Sequence, residues 1–77
     1  MNENAYVAAK LAACVSHYNP DLDVQLEGNV VIVKGRRIRV EFVKGRYRLY
    51  LRDNGPSVMF DRDPDRFLSR ALCWATL

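Results

Sequence analysis

Between residues 23 and 52, apolar and polar side chains alternate, and short breaks interrupt the alternation at three places. A period of two is the mark of a strand with one buried face. The breaks are Gly28-Asn29, Gly35-Arg36 and Lys44-Gly45. Each carries a glycine that can take the positive φ of a two-residue hairpin loop. The pattern therefore predicts four strands, over 23–27, 30–34, 37–43 and 46–52, joined as an antiparallel meander. Lys44-Gly45 is the least favourable of the three loops, because a leading lysine suits a type I′ turn poorly.

Loop length sets register, so the rows across the sheet can be written down. Two inner rows are wholly apolar, Val24–Val33–Ile38–Leu51 and Leu26–Val31–Val40–Leu49, and Phe42–Tyr47 extends them. Three outer rows are mixed: Asp23–Lys34–Arg37–Arg52, Gln25–Ile32–Arg39–Tyr50 and Glu27–Val30–Glu41–Arg48. A slip of one residue in any hairpin would exchange the two sets.

The pattern changes period on both sides of the sheet. Val7, Leu11, Cys14, Val15 and Tyr18 form one apolar stripe of a helix over 3–18, capped by Asn2 or Asn4 and stopped at Asn19-Pro20-Asp21. Asp53-Asn54-Gly55-Pro56 reads as a turn, and 57–60 as a short fifth strand or an extended arm. Asp63 as N-cap, with Pro64 after it, starts a second helix over 66–75. This helix turns Phe67, Leu68, Ala71, Leu72 and Ala75 inward and has Trp74 at the stripe's edge. The expected fold is α+β: a two-layer α-β-β-β-β-α sandwich with both helices on one face of a four-stranded antiparallel sheet.

This order of elements is similar to that of double-stranded-RNA-binding domains, which run α-β-β-β-α. The likeness covers element order only. The lysine-rich start of that family's second helix is not matched by Arg62, Arg66 and Arg70, and the extra strand departs from its pattern, so no function is carried over.

The 77 residues are expected to form one compact α+β domain, 1–77. No apolar run approaches the ~20 residues of a membrane span. The start, Met-Asn-Glu-Asn, has neither the basic residues nor the apolar run of a signal peptide. The expectation is a cytoplasmic protein whose Cys14 and Cys73 are reduced, buried thiols. The net charge of +3 is only mildly basic, but nine of the twelve cations are arginine. Arginine's planar fork suits phosphate, carboxylate and aromatic faces.

The register gathers Arg37, Arg39, Arg48 and Arg52 on the outer face around Tyr50, with Ile32 beside them. Arg37 is expected opposite Arg52, Arg39 beside Tyr50 as a cation–π pair, and Glu41 opposite Arg48 as an ion pair. Arginine and tyrosine among exposed aliphatics is the composition of an interface. Arg62, Arg66 and Arg70 recur every four residues as a second basic row. Asp61, Asp63 and Asp65 lack the glycine and distal glutamate of a calcium loop and read as helix capping. Cys14, His17 and Cys73 supply no fourth zinc ligand. No phosphate loop, nucleophile elbow or H-E-x-x-H motif is present, and no cofactor is implied.

The function expected is non-catalytic binding of an acidic partner, either nucleic acid or an acidic protein complex, through the outer sheet face. In size the chain is similar to the small accessory and anti-defence inhibitor proteins of phages and mobile elements. The alternative is a self-associating protein that buries the same face as a homodimer.

Overall fold

The computed structural model describes residues 3–52 and 54–77. The elements are α1 (Glu3–Tyr18), β1 (Val24–Glu27), β2 (Val30–Val33), β3 (Arg36–Val43), β4 (Arg46–Tyr50), β5 (Met59–Asp61) and α2 (Pro64–Ala75). The five strands form one antiparallel sheet in sequence order, β1-β2-β3-β4-β5. The 57–60 stretch is thus resolved in favour of a strand, which begins two residues later and ends one later, at Met59–Asp61. Both helices cover one face: α1 packs on β1, β2 and β3, α2 on β4 and β5, and the helices touch each other. The Asn2 cap, and Asp53 of the predicted turn, lie outside the described residues.

The core follows from the sheet's alternation. Val31, Val33, Ile38, Val40 and Leu49 are almost wholly buried, and they meet Val7, Ala8, Leu11 and Val15 of α1 and Phe67, Ala71 and Ala75 of α2 in one cluster. The buried side of α1 is rotated toward its alanines. Ala8 takes an interior place, Cys14 is half-buried and Tyr18 is exposed, so the predicted stripe is corrected at its C-terminal end. A small side chain lets helix backbones approach closely, which favours the alanine side. Leu26 on the edge strand β1 is also exposed, although its alternation points it inward.

The β1–β2 and β3–β4 registers are those expected, with Leu26 opposite Val31 and Val40 opposite Leu49. The β2–β3 register is not. Val33 faces Arg36 and Val31 faces Ile38, so the loop is Lys34-Gly35 rather than Gly35-Arg36. Lys34 and Lys44 both have φ of 54°, and Gly35 and Gly45 both have φ of 78°. These are twin type I′ loops, inside a tetrapeptide Val-Lys-Gly-Arg that occurs at 33–36 and again at 43–46. The shift moves partners by two residues, which preserves the face of every side chain but changes its neighbours.

Side chains tie both helix ends to the sheet. Asn4 does not cap α1. Its Oδ1 accepts from the Phe42 N–H at 2.7 Å, where β3 overhangs the shorter β2. The Tyr47 hydroxyl donates to Glu3 Oε1 at 2.5 Å, and this bond, with burial and the Glu3 charge, pushes its pKa up to about 12. At the other end of the molecule Arg36 Nη2 donates to the Ala75 carbonyl at 2.8 Å, satisfying an acceptor left open at the end of α2.

Candidate functional site: the arginine and aromatic face

The outer face divides at β3. On the β1–β3 side, Arg37 lies opposite Ile32, and its Nη1 is 3.4 Å from Glu27 Oε1. Arg39 lies opposite Tyr50 with its guanidinium carbon 4.1 Å from the ring centroid, and it also pairs with Glu41 on its own strand. Glu41 is cross-strand to Arg48 as expected, but its carboxylate is taken by Arg39. Residues two apart on a strand share a face, so the pair within β3 competes directly with the pair across the sheet.

The Arg37–Arg52 juxtaposition is not formed. β4 ends at Tyr50, the chain bends, and Arg52 lies beyond the ladder. With Leu51, Gly55, Pro56 and Val58 it lines a separate, mostly apolar hollow of about 360 Å³. Arg52 is therefore not assigned to the face.

The β4–β5 side is built differently. Phe60 is cross-strand to Arg48 on the outer face and remains 49% exposed. The Arg46 guanidinium carbon is 5.0 Å from its ring centroid and that of Arg48 5.9 Å. Neither arginine is paired with a carboxylate among the described residues. The buried Nε of Arg48 has no hydrogen-bond partner. Phe60 and Arg46 escape a reading confined to four strands. The signal that finds them is the alternation Val58-Met59-Phe60-Asp61: once this stretch pairs with β4, Phe60 must share a face with Arg48.

The second basic row is organised by Asp61, a reading that the sequence did not give. Asp61 lies on the inner side of β5, opposite Tyr47, with its side chain 4% exposed. It accepts from Arg66 Nε at 2.8 Å and Nη2 at 3.0 Å, from Arg70 Nη1 at 3.1 Å and from the Asp63 N–H at 3.1 Å. The two-point Arg66 bond, the Asp63 N–H and Arg70 together hold its carboxyl well below the usual carboxylate range, against the effect of burial. Asp63 alone caps α2, accepting from the Asp65 N–H. Arg70 also donates to the Phe60 carbonyl at 3.2 Å. Arg62 is exposed and carries no ion pair among the described residues. Arg46, Phe60, Asp61, Arg62, Arg66 and Arg70 line one open cleft of about 430 Å³.

Other candidate chemistry is dispersed. Both cysteines are free thiols, Cys14 half-buried and Cys73 exposed, which corrects the expectation of two buried thiols. Among the described residues no three His, Cys, Asp or Glu side chains come together to hold a metal. No helix among them is long and apolar enough to cross a membrane. No family model matches the chain, and no curated protein or solved structure matches it either.

Proposed function

We propose that the protein is a non-catalytic binding protein that docks an anionic macromolecule on the outer face of β4 and β5. The observation that carries this reading is the set Arg46, Arg48 and Phe60: an exposed aromatic ring flanked by two guanidinium groups that have no carboxylate partner among the described residues. Surface arginines with internal partners are already neutralised, as Arg37 and Arg39 are. Arginines without a carboxylate partner among the described residues keep their charge for an external anion. The Arg39–Tyr50 pair extends the same surface toward the middle of the sheet.

The test neutralises the pair while keeping side-chain length, with Arg46→Gln and Arg48→Gln together. Retention on heparin, and affinity for labelled polynucleotides and for polyglutamate, should fall at least tenfold, while the thermal midpoint moves little because neither side chain has an ion pair to lose among the described residues. A folded double variant that binds these polyanions as well as the parent would refute the reading. So would a mass of two chains in light scattering that falls to one in the variant, since a second copy would then occupy the face.

A further inference from the structure

The cleft beside Phe60 narrows the partner. Four arginines line it against one aspartate, and that aspartate is occupied. The Asp61 carboxylate spends its oxygens on Arg66, Arg70 and the Asp63 N–H and is almost wholly buried. Its role is to fix two guanidinium groups in place, and it leaves the cleft positive. Arg46 and Arg62 complete the wall without an ion pair among the described residues. Asp63 and Asp65, the remaining acids at this end of α2, do not line the cleft. Phe60 both lines the cleft and stands on the outer sheet face beside Arg48. A single ligand lying here thus meets a flat aromatic surface and a cationic hollow side by side.

Building on the binding reading above, we infer that this site takes single-stranded nucleic acid, with a base stacked on Phe60 and the adjoining phosphate in the cleft between Arg46 and Arg62. Single strands join an unpaired π-face to a phosphate in every residue. Proteins that hold them without sequence readout combine aromatic platforms with a basic groove. An acidic peptide offers carboxylates but no ring to cover Phe60. A duplex keeps its bases within the stack, so it reaches the arginines and leaves the phenylalanine unused. Arg48, with its guanidinium near the ring, is placed to meet the sugar–phosphate chain on the other side of the base.

The experiment measures anisotropy of labelled oligo-dT and oligo-rU of roughly 12 nucleotides, within the span such sites cover, across a salt series. Phe60→Leu keeps apolar bulk and removes the ring. It should weaken binding on the order of tenfold, the size expected for one stacked base, and leave the salt slope unchanged. Phe60→Tyr should restore affinity. Arg62→Glu should reduce the slope of log affinity against log salt by about one contact. Equal affinity for a blunt duplex, or full displacement of the oligonucleotide by equimolar polyglutamate, would overturn the inference. So would a folded Phe60→Leu variant with unaltered affinity. If these results come with loss of polyanion binding in the Arg46→Gln, Arg48→Gln variant, the face stands as an anion-docking surface and only its partner is wrong. If that variant also binds normally, both readings fall.

Discussion

The two halves of the outer sheet face carry similar numbers of arginines and have opposite electrostatic characters. On the β1–β3 half each arginine has a carboxylate at hand, Glu27 for Arg37 and Glu41 for Arg39. On the β4–β5 half Arg46 and Arg48 lie by the ring of Phe60 with no carboxylate partner among the described residues, and the nearby acid, Asp61, is turned to the inner side and committed to Arg66 and Arg70. Arginine count therefore does not locate a binding surface. What locates it is where the acids point, which alternation along β5 decides: Phe60 outward, Asp61 inward.

The strongest way to disturb the comparison is to remove what both halves stand on. Leu49 is wholly buried between Val40 and Met59 on the inner face. Leu49→Ala should cost about 2–5 kcal/mol in denaturant unfolding, as a large-to-small core change. A loss below about 0.5 kcal/mol would show that β4 is not the shared floor.

A second test separates the halves by pH. The Asp61 carboxyl is depressed in the fold, so its contribution is fully present above the unfolded value near 4 and is lost progressively as pH falls below it. The thermal midpoint of the parent should therefore drop steeply below about pH 4, and Asp61→Asn should start lower and lose that part of the slope. Tyr47 gives the mirror case. Its raised pKa contributes stability below about 10, the unfolded value, which is lost as pH rises from there toward about 12, and Tyr47→Phe should remove that alkaline limb. An acid limb that is equally steep in Asp61→Asn would deny Asp61 its organising role.

The smallest expected effect sharpens the contrast most. Glu27→Gln with Glu41→Gln removes the carboxylates that pair with Arg37 and Arg39 and should change stability by under about 1 kcal/mol, as surface ion pairs do. It should also raise polynucleotide affinity severalfold, by leaving the neutral half with the net positive charge that the other half already has. Unchanged affinity would mean that carboxylate pairing is not what distinguishes the halves.

Much of this was legible in the chain. The faces of the sheet and the Arg39–Tyr50 contact follow from period and loop length, and the capping of α2 by Asp63 from the Asp-Pro pair that opens the helix. The β2–β3 loop differs from the expected Gly35-Arg36, which puts glycine first in the turn and keeps Lys34 in the strand. The protein instead accepts lysine at positive φ, twice over, in the repeated Val-Lys-Gly-Arg. The difference leaves the faces intact but sets Arg37 against Ile32 rather than Lys34. Asp61 was hidden for another reason. An aspartate two residues before a capped helix looks like one more capping acid, and only the pairing of β5 with β4 turns it inward.

The ties between helix ends and sheet have a kinetic consequence. The meander closes through two-residue loops, and hairpins of this kind form in about 1–10 μs. The bonds Asn4–Phe42, Glu3–Tyr47 and Arg36–Ala75 join residues 38, 44 and 39 positions apart. Such closures come after the local pairings, because their loop entropy must first be met. The sheet is thus expected to form early, with the ends of the two helices as its latches. Cutting a latch should leave the folding rate almost untouched and shorten the lifetime of the folded state, as the two arms of a chevron would read.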